Sequence, residues 1–257
     1  MGQAIPYAHI LYFDDDEQLG GTYSNIEGAF RVEVPSEATE IRISAIGYKS
    51  LTYSPDSIPS HIVLSPNPEM LSEVRVIPKN TSEGYETLIP EAKKKSSFSA
   101  YKGFMVSTWI PNEKDQPQPI RSVVFNINKL KTSSSSKARV SILENNNGMP
   151  GDVIGLAEVV EINSRSSRTI EVFMESPNCI LKREGVFVAL EWMGCVDEEQ
   201  SGVKDCKLAI VTSEGNSDEN PQVYVSSVFY QNQWTDMNKG MVDGRIMIPL
   251  VGVTVYE

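Results

Sequence analysis

Hydrophobic and polar residues alternate with a period of two along much of the chain, and no segment has a convincing helical period. In one clear case, Phe30, Val32 and Val34 alternate with two charged residues. Successive side chains of a strand point to opposite faces of a sheet, so this alternation predicts half-buried strands. Pro, Ser, Asn and Gly separate the short apolar segments and predict tight turns. The pattern therefore predicts an all-β fold made of sandwiches.

The predicted strands fall into two groups along the chain. Those of the first group are Tyr7–Phe13, Gly28–Val34, Ile41–Ile46, His61–Leu64 and Leu71–Val76. Those of the second group are Phe104–Ile110, Ile120–Asn128, Ala138–Glu144, Ile154–Ile162, Arg168–Phe173, Val186–Met193, Lys207–Thr212, Val223–Phe229 and Ile246–Tyr256. Between the groups, residues 79–99 lose the alternation and carry a run of three lysines, which predicts a linker. We therefore expect a small β-sandwich at residues 1–78 and a larger, jelly-roll-like β-sandwich at residues 100–257.

The first domain contains a series of short motifs in a characteristic order. The motifs are Ile5–Ile10, Ser24–Phe30, Ile43–Lys49 and Leu71–Val76. Together they resemble the carboxypeptidase regulatory-like domain, a small transthyretin-like β-sandwich that is common in secreted and outer-membrane proteins of Bacteroidetes. The resemblance covers residues 2–78 and implies a fold and an extracytoplasmic location, but no reaction. The second domain resembles an uncharacterised sandwich that often follows the regulatory-like domain in such proteins.

The start of the chain departs from that family. Its members usually begin with another strand ahead of the motif that starts here at Ile5, and this chain starts almost at the motif. The resemblance therefore implies that the first strand is missing, either because the chain has been cut or because its start was assigned too late. No signal peptide is recognisable at the amino terminus. The uncovered sheet edge would then recruit another chain or a second copy of this one.

Charge and hydropathy narrow the range of partners. The chain has 34 acidic and 23 basic residues, a formal charge of -11, which disfavours nucleic acid and anionic lipid surfaces. No apolar run approaches the ~18 residues that a membrane span needs. The remaining partners are a glycan, a peptide or another protein of the cell envelope. The regulatory-like domain often precedes TonB-dependent receptors. The resemblance therefore implies a further alternative, that the chain is an accessory protein to an outer-membrane transporter.

The residues needed for common hydrolytic mechanisms do not come together in this sequence. The two histidines, His9 and His61, both lie in the first domain, and we expect both to be exposed or at a strand edge. There is no Gly-x-Ser-x-Gly elbow for a nucleophile and no His-Glu-x-x-His metal motif. Glu191 adjoins Trp192, so an acid stands next to a ring that could stack on a sugar. A carbohydrate-active hydrolase is therefore the alternative to a non-catalytic function. Adjacent strand residues point to opposite faces, however, so we expect one of the two to lie in the core.

No cofactor is predicted, and calcium is the ion that the composition favours. Oxygen ligands are supplied by Asp14–Glu17 and by Asp197–Glu199 with Asp205. Neither cluster has the spacing of an EF-hand loop, so we interpret both as solvated turns.

The three cysteines are relevant to the question of whether the protein folds in an oxidising or a reducing compartment. Cys195 and Cys206 lie outside two predicted strands that would form a hairpin, and this placement predicts a disulfide between them. A disulfide fits an oxidising compartment, whereas three thiols in the cytoplasm would need no explanation. Cys179 is expected to be free and buried.

The sequence therefore predicts a non-catalytic, extracytoplasmic binding or structural module. Its candidate contact residues are Tyr224, Tyr230 and Trp234, because aromatic side chains in sandwich loops are frequent contact residues. Trp234 lies in a polar turn that carries aromatic residues, and the alternative for it is to fold back on the core.

Overall fold

The computed structural model describes residues 3–67, 84–91, 95–99, 101–114, 116–128, 135–154, 158–163, 165–174, 179–196, 208–216, 222–229, 233–237 and 245–256. Regular structure in these ranges is β-strand except for a short 3-10 helix at Pro55–Ser57, which confirms the all-β prediction. The chain divides into two compact units, Met1–Glu73 with Ser227–Gln233, and Val74–Ser226 with Trp234–Glu257. No helix in the described part has the length and apolar character needed to cross a membrane.

The first unit contains an antiparallel sheet with the strand order β2-β1-β3-β4. Its strands are β1 His9–Asp14, β2 Glu17–Tyr23, β3 Glu40–Ser44 and β4 Leu51–Tyr53. The alternation of β1 and β3 brings Ile10 opposite Ile43 and Tyr12 opposite Ile41. These four side chains are buried together and form the centre of the first core.

Residues from the C-terminal part of the chain complete the first unit. The side-chain amide of Gln18 donates to the backbone carbonyl of Val228. The rings of Tyr23 and Phe229 lie 4.9 Å apart at an angle of 54°. The first unit is therefore discontinuous in sequence, whereas the sequence predicts a single segment.

Two segments of the first unit lack the strands that their alternation predicts. Gly28–Val34 and His61–Leu64 have no strand within the described residues, so these two predictions are wrong. Phe30, Val32 and Val34 nevertheless pack against the first core. Alternation reports which side chains face the core, while a strand also requires a neighbouring strand with which to pair. The predicted strand Leu71–Val76 lies outside the described residues.

Fifteen further strands follow in the described parts of the chain. They are β5 Tyr85–Leu88, β6 Lys95–Ser99, β7 Phe104–Ile110, β8 Gln118–Asn126, β9 Ser136–Asn146, β10 Met149–Val153, β11 Glu158–Ile162, β12 Thr169–Phe173, β13 Ile180–Leu181, β14 Val186–Cys195, β15 Ala209–Asn216, β16 Val223–Ser227, β17 Thr235–Asp236, β18 Arg245–Pro249 and β19 Val251–Tyr256.

These strands form three sheets around one core. A seven-stranded sheet has the order β10-β9-β14-β7-β16-β17, with β11 also paired to β9. A five-stranded sheet has the order β12-β8-β19-β5, with β13 also paired to β8, and a three-stranded sheet has the order β18-β15-β6. Buried side chains of β7, β9 and β14 share one cluster with those of β8 and β19. The larger unit is thus a β-sandwich with its core between the sheets.

The stretch predicted as a linker contains two strands of this larger unit. β5 pairs with β19, and β6 pairs with β15. β6 has a single large apolar residue, Phe98, whose ring lies 5.8 Å from that of Trp192 in the core. A strand with one apolar position shows no alternation in its sequence. β6 is held in place by pairing with β15, which is distant in sequence.

Candidate functional site

A cleft with a volume of about 490 Å3 opens in the larger unit. Its apolar lining includes Leu88 of β5, Ile110 of β7 and Ile248 of β18. These residues are far apart in sequence, and the cleft forms only where their three strands come together. Its volume is in the range of roughly 300–1,000 Å3 that small-ligand sites occupy.

Among the described residues of the lining, two polar groups have no hydrogen-bond partner. They are the hydroxyl of Thr108 and the side-chain carbonyl oxygen of Gln222, and both atoms are buried. Thr108 is 3% exposed and lies on the same face of β7 as two core residues. The backbone N–H of Trp109 donates to the carbonyl of Gln222 at 3.0 Å, which fixes the two segments side by side. Leaving a buried polar group unpaired costs about 1–3 kcal/mol, so each of these two atoms lowers the stability of the wall of the cleft.

Carboxylates supply the charged groups of the cleft. Glu91, Glu113 and Glu214 line it, and its lining contains no Lys, Arg or His among the described residues. Glu91 and Glu113 are exposed and form no ion pair with any residue in the described ranges. Nearby, Lys114 is engaged by Glu86, with 3.0 Å between Nζ and Oε2. The charged side chains that line the cleft are therefore all negative among the described residues.

Trp109 is also in the lining of the cleft, and its side chain, on the face of β7 opposite Thr108, is held in a defined orientation. Its indole N–H donates to the carbonyl of Glu184 at 3.1 Å. The next residue, Gly185, has a φ of +79°, and a Cβ added there would lie 2.4 Å from the indole nitrogen. Glycine is needed at this position for both reasons, because it tolerates the left-handed backbone and leaves room for the ring.

Trp109 also belongs to a second apolar group, on the sheet face opposite the core. Phe187 of β14 is buried at its centre, and Tyr224 and Trp234 pack against it. The rings of Phe187 and Tyr224 are 5.6 Å apart and nearly perpendicular. The hydroxyl of Tyr224 donates to the carbonyl of Gly148 at 2.7 Å. Burial, and then the Asp236 carboxylate, raise the pKa of Tyr224 above its usual range.

Two of the three predicted contact residues thus lie in this aromatic cluster of Trp109, Phe187, Tyr224 and Trp234. Trp234 is half-buried and packs on the cluster. Tyr230 lies outside the described residues. Sequence reasoning did not identify Trp109, although its position carries a signal: it alternates with two core residues of β7 and so had to lie on the other face.

Glu191 and Trp192 lie on opposite faces of β14, as the alternation predicts. Trp192 is in the core, where its indole N–H donates to the carbonyl of Leu208 at 2.7 Å. Glu191 is 4% exposed and forms an ion pair with Arg139 at 3.3 Å. The two residues do not form one pocket, and neither lines the cleft.

The remaining candidate residues of the first unit are separate from one another. His9 is half-buried, with its ring 5.5 Å from that of Tyr23, and His61 is exposed. Asp14–Glu17 spans the exposed turn between β1 and β2. Among the described residues, no group of three or more His, Cys, Asp or Glu side chains is arranged to hold a metal ion. The second acidic cluster, Asp197–Glu199 with Asp205, lies outside the described residues.

The cysteines differ in their chemical state. Cys195, at the end of β14, is disulfide-bonded. Cys179 is free and buried, and its thiol donates to the carbonyl of Ile154 at 3.3 Å. Cys206 lies outside the described residues, so its pairing with Cys195 stays a prediction.

The chain has a distant structural likeness to a solved structure. No family model matches the chain, and no curated protein matches it by sequence. The chain is similar to the crystal structure of the cysteine protease and lectin-like domains of Cwp84, a surface layer associated protein of Clostridium difficile. The sequence identity is 13% and the TM-score is 0.40, and the match covers 65% of this chain and 36% of that one. A likeness of this degree carries no argument about function.

Proposed function

We propose that this chain is a non-catalytic binding module that acts outside the cytoplasm and holds its ligand in the cleft of the larger unit. One observation carries the proposal: Thr108 and Gln222, each with a buried polar atom that lacks a hydrogen-bond partner, line a cleft that also has Trp109 in its lining. Small-ligand sites combine an apolar and aromatic lining with a few fixed polar groups, and this cleft has that composition.

The disulfide supports the proposed location. Structural disulfides persist in secreted and envelope proteins, while the cytoplasm keeps thiols reduced. The bonded state of Cys195 is therefore what we expect of a protein that folds in an oxidising compartment. The motif resemblance of the first domain, which implies the same location, is independent of the cysteines.

The environment of Glu191 supports binding over hydrolysis. A glycosidase acid must contact its substrate, together with a second carboxyl group roughly 5–10 Å away. Glu191 is instead buried and paired with Arg139. The two residues lie opposite each other on β14 and β9, so the ion pair links the two strands, and nothing at this position favours the hydrolase alternative.

The proposal is tested with ligand arrays and two matched variants. Full-length protein is applied to glycan and peptide arrays, and each ligand found is titrated calorimetrically against wild type, Thr108→Val and Thr212→Val. Both threonines have buried hydroxyls without a partner, but only Thr108 lines the cleft. We expect Thr108→Val to bind about tenfold more weakly, the equivalent of one hydrogen bond, and Thr212→Val to bind like wild type. Equal affinities of all three proteins, or binding to no array, would contradict the proposal.

A further inference from the structure

Two exposed aromatic side chains converge on one arginine at the outer face of the five-stranded sheet. Tyr85 is 61% exposed and Phe173, which follows the core residue Val172 in β12 and so points away from the core, is 53% exposed. Their strands, β5 and β12, are the two edges of the sheet and lie three strand spacings apart, roughly 14 Å. Yet Cζ of Arg121 is 4.4 Å from the ring centroid of Tyr85 and 4.8 Å from that of Phe173. The two rings therefore lean toward each other across the sheet.

A β-bulge in β8 places Arg121 on this face. The strands β8 and β19 change register beyond the pair of Ser122 and Thr254, which leaves Arg121 as an extra residue in β8. Neighbouring residues of a regular strand point to opposite faces, whereas a bulge redirects one of them. Consequently Nη1 of Arg121 and the hydroxyl of Ser122 both donate to Oε1 of Glu171, at 2.9 and 2.7 Å. The bulge and these two bonds hold the guanidinium between the rings.

The polar groups between the rings can form further hydrogen bonds. A guanidinium group has five N–H donors, and within the described residues the Arg121 side chain uses one of them, in its bond to Glu171. Oε2 of Glu171 accepts no hydrogen bond from any residue in the described ranges. The side chains of Arg121 and Glu171 are 24% and 38% exposed, so solvent reaches both. Donors and an acceptor thus lie side by side, and the net charge of the pair is zero.

We propose that Tyr85, Arg121, Glu171 and Phe173 form a second binding site, the aromatic platform, that binds a neutral sugar chain. A pyranose ring has an apolar C–H face, which packs on an aromatic ring, and hydroxyl groups that are each both donor and acceptor. Adjacent hydroxyls can accept from the guanidinium of Arg121 and donate to Oε2 of Glu171 while the sugar lies on the rings. None of the four residues lines the cleft, so this site is additional to the one of the proposed function.

The size and charge of the aromatic platform favour a sugar over a protein or an anion. Aromatic side chains have roughly 150–250 Å2 of surface each, so these two expose about 200–300 Å2 together. A stable protein interface needs about 800 Å2 on each partner. An anionic ligand such as nucleic acid would find that Arg121 already has a counter-ion, on a chain with a formal charge of -11.

Calorimetric titration of the full chain with neutral hexasaccharides tests the inference. The probes are cellohexaose, xylohexaose and chitohexaose. We expect at least one of them to bind, and Tyr85→Ala and Phe173→Ala each to lower the affinity for it about tenfold. Tyr101→Ala is the matched control, because Tyr101 is 55% exposed but packs on Phe104 at the start of β7. Binding of no probe, or equal affinities of the two platform variants and the control, would overturn the inference.

Conservative variants test the polar half of the site in proteins that keep the rings. Arg121→Lys retains the charge but loses the planar fork of N–H donors, and Glu171→Gln retains the size but loses one acceptor. We expect each to bind the hexasaccharide about fivefold more weakly, with a thermal unfolding curve that shows a folded protein. Wild-type affinity in both variants would overturn the site as proposed, because the rings alone would then account for binding.

Thr108→Val separates the aromatic platform from the cleft. Sugar binding that Thr108→Val weakens and Tyr85→Ala leaves unchanged would assign the sugar to the cleft, which would overturn the platform and retain the proposed function. Sugar binding that Tyr85→Ala weakens and Thr108→Val leaves unchanged would support the platform. In that case the proposed function is decided by the other array ligands and their dependence on Thr108.

Discussion

The indole ring of Trp109 lies directly against the backbone of Gly185. A Cβ atom at Gly185 would lie 2.4 Å from Nε1 of Trp109 and 2.6 Å from the carbonyl oxygen of Ile110. Trp109 is one of the residues that line the cleft. The conformation of the turn between β13 and β14 therefore fixes the position of a side chain next to the candidate site.

Gly185→Ala is expected to displace Trp109 and destabilise the larger unit. The left-handed backbone alone costs about 1–2 kcal/mol with an alanine, and the steric clash adds to this. Gly148→Ala is the matched control, because Gly148 has a similar φ of +87° but its nearest neighbour would be 3.9 Å from the added Cβ. Near-ultraviolet circular dichroism and denaturant unfolding measure the two effects. Identical spectra and stabilities of the two variants would contradict the role of this contact.

Thr108→Val is expected to stabilise the protein while it weakens binding. The variant replaces a buried, unpaired hydroxyl with a methyl group of similar shape, which removes a cost of about 1 kcal/mol. Thr254→Val provides the contrast, because the hydroxyl of Thr254 is 3.2 Å from that of Thr87 and the variant loses that bond. Thermal unfolding should move in opposite directions for the two variants. A lower melting temperature for Thr108→Val would show that its hydroxyl has a partner after all.

Glu191→Gln is expected to lower the free energy of unfolding by about 3–5 kcal/mol, since it leaves Arg139 as a buried charge without its counter-ion. Glu144→Gln breaks an ion pair with Lys182 that is roughly half exposed, and such surface pairs contribute about 0–1 kcal/mol. Denaturant unfolding of both variants measures the difference. If activity on a polysaccharide were found and lost in Glu191→Gln without a loss of stability, the structural role assigned to Glu191 would be wrong.

The first unit is expected to lose stability between pH 10 and pH 12. Burial, and then the Glu33 carboxylate, raise the pKa of Tyr12 from 10.0 to about 12. The unfolded chain releases this proton near pH 10, but the folded unit retains it up to about pH 12. Stability is therefore complete below pH 10 and falls by up to about 3 kcal/mol above it. Chemical unfolding at pH 9 and pH 11.5 should show a smaller fall for Tyr12→Phe than for wild type, and equal falls would contradict the assignment.

Thiol counting tests the predicted bridge between Cys195 and Cys206. We expect one reactive thiol per denatured, unreduced chain, that of Cys179, and three after reduction. A loop of about 12 residues between bridged cysteines stabilises a protein by about 3 kcal/mol in the chain-entropy model, so Cys195→Ser should unfold more readily. A peptide map that pairs Cys179 with another cysteine would refute the predicted connectivity.

Long strands with strong alternation were predictable from the sequence. The predicted strand Phe104–Ile110 coincides with β7, and the one that starts at Val186 is β14. Each of these strands has a neighbouring strand on both sides, and one of its faces lies against the core along its length. Apolar residues therefore recur at alternate positions along most of the strand. The opposite placement of Glu191 and Trp192 follows from the same period of two.

The cleft was not predictable in this way. Its carboxylates come from the segment after β5, the segment after β7 and the strand β15, which are distant in sequence. β5 and β6 also lie in the stretch predicted as a linker. Their few apolar residues give no alternation, and their positions depend on hydrogen bonds to β19 and β15. Pairing between strands that are distant in sequence leaves no recognisable pattern in the residues of either strand.

The contribution of Val228 and Phe229 to the first unit affects how that unit can be transplanted. A recombinant fragment that ends at Glu73 would lack the acceptor for Gln18 and the ring that packs on Tyr23. The missing residues are encoded more than 150 codons downstream, so one cut in the gene cannot isolate the complete unit. Swapping it into another protein would require a second, grafted peptide or a circularly permuted gene.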